Sequence, residues 1–173
     1  MKEYWNELFK NREKRFPHEP ILEEYIEIFQ GKKVVELGAG DGRNSLYLAD
    51  KAKEIAAFDY SEKAIEKIKS KIPNIKINIT DIEKEELDLR GYQIVLMVHY
   101  FPSFEKFNEI FNSLEKGVVV FIYTFIKEEV DGSRQSVGIS YEEIEQLDLF
   151  GETIKKEFVD DVRGKSVFML IRK

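Results

Sequence analysis

"VVELGAGDGRNSLYLA" (residues 34–49) decides the fold. A short apolar run, Val34 to Leu37, is interrupted only by Glu36. It passes through Gly38, Gly40 and Gly42 and continues as the helical pattern "RNSLYLADKA". An apolar run of this length that stops at glycines reads as a buried strand, and the pattern behind it as the helix that follows. Glycines at such a junction remove β-carbons where the chain turns tightly or where a ligand lies against the backbone.

The alternation continues downstream. "KKVVEL", "EIAAFD", "IKINIT", "YQIVLMV" and "VVVFIYTF" read as strands, and "EKAIEKIKSKI", "FEKFNEIFNSLEK" and "YEEIEQLDLF" as helices. Ser61 and Ser103 are placed to cap two of these helices, and Ser140 with Glu143 forms a capping-box pattern on the third. "ETIKKEFVDD" and "SVFMLIRK", with a turn at Arg163-Gly164, read as a β-hairpin. Nearly all-apolar central strands separated by helices imply a parallel sheet covered on both faces, and the hairpin adds an antiparallel edge. The fold class is therefore α/β, a three-layer α/β/α arrangement on a seven-stranded, mostly parallel sheet.

Upstream, "EYWNELFKNREKRF" reads as a helix broken at Pro17, and "PILEEYIEIF" as its resumption up to Gly31. With no repeat and no Pro- or Ser-rich linker, residues 1–173 read as one domain. It comprises an N-terminal helical cap over 1–31 and a core over 32–173.

Composition narrows the function. The 27 Lys and Arg against 33 Asp and Glu give a net charge of -6, which supplies no overall cationic field for a phosphate backbone. Nucleic acid is disfavoured as a partner. The absence of cysteine removes thiolate chemistry, and two histidines leave little for zinc, so no metal site is expected. The charged N-terminus lacks a secretory apolar region, and the longest apolar run, near "GVVVFIYTFI", is too short to span a bilayer. A cytoplasmic protein with no membrane partner is expected.

In open α/β sheets, ligands bind beyond the C-terminal ends of the strands, where strand order reverses. Three successive strands end there in acids: Glu36, Asp59 and Asp81. A rim of carboxylates suits a ligand bringing positive charge and sugar hydroxyls better than one bringing a pyrophosphate. The dinucleotide fingerprint G-x-G-x-x-G is also not met, because the third glycine, Gly42, comes one residue early.

"VVELGAGDG" resembles the first motif, E/D-x-G-x-G-x-G, of class I, Rossmann-like S-adenosylmethionine-dependent methyltransferases. The resemblance extends from Lys32 to the terminal hairpin. "GDGRNSLYLA" is similar, more narrowly, to small tellurite-resistance-type and generic small-molecule methyltransferase domains. The resemblance implies S-adenosylmethionine as cofactor, with S-adenosylhomocysteine as product. By that likeness Glu36 holds the methionine amino group, Gly38, Ala39 and Gly40 lay backbone against the cofactor, and Asp59 binds the ribose hydroxyls. Tyr60 packs on the adenine, Asp81 and the Ile82 amide meet its edge, and Val98 and His99 border the sulfonium end. Structural alternatives stand beside these roles: Tyr60 as a core aromatic, Asp81 as the cap of a turn.

The implied reaction is an in-line displacement at an activated methyl group, so the protein must chiefly align reactants and exclude water. A base is needed only for an acceptor that arrives protonated. His99 is the best-placed candidate, with Tyr100 beside it; the alternative makes His99 a rim residue shaping the pocket. Tyr4, Trp5, Phe16, His18 and Glu19 are candidates for a cover. The loop "KEEVDGSRQSVG", with Arg134, is expected to order over the substrate. The preferred partner is a small-molecule methyl acceptor. A macromolecular acceptor presented by a partner subunit and a non-catalytic cofactor-binding scaffold are the alternatives. The acceptor atom and the oligomeric state are not legible.

Overall fold

The computed structural model of the chain describes residues 2–68, 72–127 and 138–173. Its strands are β1 (Lys33–Leu37), β2 (Glu54–Asp59), β3 (Ile75–Ile79), β4 (Ile94–Val98), β5 (Val119–Phe125), β6 (Glu152–Asp161) and β7 (Gly164–Arg172). They form one seven-stranded sheet in the order β3-β2-β1-β4-β5-β7-β6. The strands β1 to β5 pair in parallel, and β7 runs antiparallel to both β5 and β6. The three-layer, mostly parallel architecture read from the sequence is the one observed. Because β2 and β4 flank β1 on opposite sides, the strand order reverses at β1, and the crevice lies between the ends of β1 and β4.

Period-two alternation sorts the apolar side chains between two cores. Val35, Val95, Met97, Ile122, Val167 and Met169 face one side, where Phe107 and Phe111 of helix α5 (Phe104–Ser113) cover them. Val34, Leu96, Phe121, Phe168 and Leu170 face the other, against Leu22 of α2 (Ile21–Glu24), Phe29 and Leu48 of α3 (Arg43–Leu48). Burying each such side chain contributes roughly 1.5–3 kcal/mol.

The caps form as read. Ser61 accepts from the Ala64 amide at the start of α4 (Glu62–Ile65), and Ser103 from the Lys106 amide at the start of α5. Ser140 and Glu143 complete a capping box on α6 (Tyr141–Leu147).

The N-terminal helices are shorter than their periodicity suggests. The first, α1 (Lys2–Asn11), stops well before Pro17. Beyond it, Arg15 turns inward to donate from Nε to the Asp41 carbonyl at 2.9 Å and from Nη2 to the Lys67 carbonyl at 3.0 Å. After α2 the chain tightens into a 3-10 turn, Ile26–Phe29, before Gly31 at φ 65°. The hairpin turn is Val162-Arg163, one residue earlier than expected, because Asp161 pairs with Gly164. The loop segment 128–137, including Arg134, lies outside the described residues. Among the described residues no helix is long and apolar enough to cross a membrane.

Candidate active site

The rim at the C-terminal ends of β1 and β2 carries two buried carboxylates. Glu36, 1% exposed, accepts from Asn44 Nδ2 at 2.9 Å and from the Ser45 hydroxyl, both at the start of α3. Burial pushes its carboxyl upward, and those two hydrogen bonds, with the nearby Arg43 charge, oppose the push. Asp59, 7% exposed, accepts from the Gly40 amide at 2.8 Å on one oxygen and from the Ser61 amide at 2.8 Å on the other. Burial raises this carboxyl too, offset in part by the amides. Among the described residues no cation pairs with it. A buried carboxylate satisfied only by amides is costly to keep, and such groups cluster where ligands bind.

The glycine turn faces inward with its amides. Gly38 and Ala39 both donate to the Phe58 carbonyl, at 2.9 and 3.0 Å, and Gly40 donates to Asp59. The turn is thus not a cradle of free N–H groups for a phosphate, in keeping with the failed dinucleotide spacing. What the glycines supply is room at positive φ. A β-carbon on Gly38 (φ 71°) would lie 2.6 Å from Tyr100 Cβ, one on Gly40 (φ 56°) 3.0 Å from Phe9 Cζ, and one on Gly42 (φ 75°) 2.6 Å from Ile68 Cγ1. Aromatic and aliphatic side chains of the protein itself approach the turn at these positions. Phe9 reaches the turn from α1, where Trp5 stacks on it.

The remaining cofactor candidates ring the same rim. Tyr60 follows Asp59, and burial together with the Asp59 and Asp81 charges holds its phenol above the usual range. Asp81 follows β3; its carbonyl opens a turn by accepting the Lys84 and Glu85 amides, and its carboxylate pairs with Lys84 at 2.9 Å. The turn is present, but its amides bond the Asp81 carbonyl rather than the half-buried carboxylate, so the side chain does not cap it. The Ile82 side chain belongs to the α5 core, and Val98, 6% exposed, closes β4. The Tyr100 phenol lies far above its usual range, first through burial and then through the charges of Glu83, Asp59 and Asp81, so its hydroxyl stays protonated.

The crevice side is built around His99. Among the described residues it alone is a non-glycine at positive φ, 52°, a conformation that side chains adopt only when their surroundings impose it. Its amide donates to the Tyr123 carbonyl at 2.7 Å, and its ring stacks on Phe125 at 4.4 Å between centroids. Nε2 lies 2.9 Å from Glu19 Oε2, while Nδ1 is buried without a partner among the described residues. Glu19, 1% exposed, also accepts from Arg163 Nη1 at 2.8 Å and Arg43 Nη2 at 3.2 Å. Burial alone would raise the Glu19 carboxyl; the His99 and Arg163 hydrogen bonds and charges outweigh it and lower it to about 2.

Sequence reasoning placed Glu19 among cover residues and missed Arg163, Arg43, Asn44 and Ser45. The one available signal was an acid held between Pro17 and Pro20. Of the other cover candidates, Trp5 packs on Phe9, His18 stacks on Tyr47, and Tyr4 and Phe16 are exposed.

Comparison with known proteins shows the family and the fold. A family model described as Tellurite resistance protein TehB matches residues 2–157. The chain is 22% identical over 148 residues to ribosomal RNA small subunit methyltransferase A of Mycoplasmopsis synoviae, covering 80% of this chain but only 56% of that protein. Among solved structures, TehB from Haemophilus influenzae superposes with a TM-score of 0.75 at 19% identity, over 98% of this chain and 67% of that one. A DhpI–SAH complex superposes with a TM-score of 0.69 at 18% identity, over 99% and 94%.

Proposed function

Given that the chain belongs to the TehB family of class I, Rossmann-like methyltransferases, we propose that it transfers the methyl group of S-adenosylmethionine to a small-molecule acceptor. The observation that carries this reading is Asp59. A carboxylate offers about four acceptor positions; two are taken by amides, leaving two for a vicinal pair of hydroxyls at the mouth of a glycine turn. The inward-turned amides and the acidic rim likewise fit a sulfonium nucleoside better than a pyrophosphate.

The cofactor supplies an already activated methyl group, and the residues divide the remaining work. Asp59 holds the ribose end, and Tyr60, Asp81 and the Ile82 amide the base. Glu36, with acceptor positions beyond those used by Asn44 and Ser45, holds the amino group of the methionine end. Gly38, Ala39 and Gly40 let the backbone lie close. Val98 and His99 bound the space where the acceptor approaches, with His99 the candidate base and Tyr100 next to it in the chain. The cap over 1–31 contributes Phe9 and Glu19, tying it to the core as one domain.

The net charge of -6 and the carboxylate rim favour a small acceptor over a nucleic acid. An RNA acceptor is the second reading, favoured by the likeness to the ribosomal RNA enzyme. Calorimetric titration with S-adenosylmethionine and S-adenosylhomocysteine tests the cofactor; micromolar binding of both is expected, and binding of neither leaves a scaffold. Labelled-methyl transfer into a small-molecule extract and into RNA then separates the two acceptor readings.

A further inference from the structure

The cofactor assignment leaves one buried network unused. Glu19 sits between Pro17 and Pro20, ahead of α2, and its carboxylate is shared by His99 from the end of β4, Arg43 from α3 and Arg163 from the β6–β7 turn. Its own amide donates to Asn44 Oδ1 at 3.0 Å, and Asn44 Nδ2 donates to Glu36. The network therefore runs from the end of β1 to the end of β4, the two strands that bound the crevice.

This arrangement determines where the imidazole proton sits. Paired with two guanidinium groups, the Glu19 carboxylate is ionised and can only accept. Nε2, 2.9 Å from it, must then be the protonated nitrogen. In the neutral ring the lone pair lies on Nδ1, the nitrogen that is buried with no partner among the described residues. An orphaned buried nitrogen on a ring fixed by a positive-φ backbone, a stacked Phe125 and a carboxylate is the pattern of a base held in one tautomer by an orienting acid.

We propose that Glu19 is a positioning residue that holds His99 as the Nε2–H tautomer, so that Nδ1 takes the proton of a methyl acceptor that arrives protonated, a hydroxyl or ammonium group. This rests on the methyltransferase reading. In the step, an acceptor lone pair bonds to the methyl carbon, and the carbon–sulfur electron pair returns to sulfur. The acceptor's proton passes to Nδ1, and the resulting imidazolium keeps Glu19 against its Nε2–H. Arg163 and Arg43 hold the carboxylate in place.

The chain has only two histidines, so long-range proton–nitrogen NMR on 15N-histidine-labelled protein resolves them, with His18→Asn assigning His99. At neutral pH the expected signature is a proton on Nε2 and a lone pair on Nδ1 in the wild type, lost to a tautomer mixture in Glu19→Ala. Glu19→Gln, which retains a carbonyl acceptor, should restore the Nε2–H form. A wild-type ring protonated on Nδ1, or an unchanged tautomer in Glu19→Ala, overturns the proposal; the wild-type measurement decides even where the alanine variant does not fold. With an acceptor in hand, Glu19→Ala should lower kcat by about a hundredfold, within the range that a general base supplies, with cofactor affinity unchanged. Equal losses in both would make Glu19 merely structural. If the wild type binds no S-adenosylmethionine, the methyltransferase reading fails while the tautomer result stands by itself.

Discussion

The Tyr100 side chain occupies the face of Gly38 that a β-carbon would fill, with Tyr100 Cδ2 2.8 Å from that position. Gly38→Ala should therefore cost stability twice, through a positive φ on a residue with a side chain and through expulsion of the ring. Together these amount to about 2–4 kcal/mol. In urea unfolding, Gly38→Ala combined with Tyr100→Gly, which removes the Tyr100 β-carbon as well as the ring, should relieve the clash but not the backbone strain. Simple additivity of the two would show that ring and glycine are not coupled.

The same contact bears on ligand entry. The Tyr100 ring covers the Gly38 face of the glycine turn, so Tyr100→Ala should leave S-adenosylmethionine binding intact or tighten it. A tenfold loss on titration would instead make the ring part of the cofactor's own packing.

Asp59 should separate stability from binding. Burial raises its carboxyl, so the charged form is held against its own preference, and Asp59→Asn removes that cost. Asn keeps one acceptor oxygen and sets an NH2 against the Gly40 or Ser61 amide, so the variant loses one hydrogen bond and should fold within about 1–3 kcal/mol of the wild type. It should nonetheless bind the cofactor about ten- to a hundredfold more weakly, since a hydrogen bond to a charged group contributes about 1.5–3 kcal/mol. Paired thermal unfolding and calorimetry would test this; unchanged affinity in a folded variant would move the ribose site elsewhere.

Acid should reveal Glu19. Its carboxyl is lowered from 4.5 to about 2 in the folded state, so its stabilising contribution is complete above pH 4.5 and lost as pH falls through about 2. Glu36 and Asp59, shifted upward, act with the opposite sign: protonating them favours the folded form. The stability gap between the wild type and Glu19→Gln should close by roughly 3 kcal/mol across that window. A pH-independent gap in denaturant titrations would place the ion network outside the folded-state energetics.

Asn44 joins the two acids by donating to Glu36 and accepting from the Glu19 amide. Asn44→Ala strands one buried acceptor position and one buried donor, at about 1–3 kcal/mol each. A loss below 1 kcal/mol in equilibrium unfolding would mean that water replaces it.

The strands and caps were legible because their causes are local. Val34 to Leu37 is apolar over its own length, and Ser140 and Glu143 are three residues apart. Glu36 and Asp59 were legible as acids ending apolar runs, an arrangement that packing alone does not favour. The length of α1 was not, because its end is tied to Asp41 and Lys67 far along the chain by the turn of Arg15. Nor was the pair of Glu19 and Arg163, 144 residues apart, since each alone reads as a surface charge beside a proline or a turn.

The placement of β7 between β5 and β6 gives the molecule an order of assembly. A nascent chain that has reached Asp161 holds every residue of the glycine turn and the acidic rim, yet β6 has no strand to pair with and β5 presents a bare edge. Long-range pairings of this kind come late and leave such edges open in the interval. Arg163 opens the segment that fills the gap, so the clasp on Glu19 and the keystone strand arrive together during synthesis. The pocket that would hold the ribose can be translated early; the imidazole opposite it is braced only when the sheet is whole.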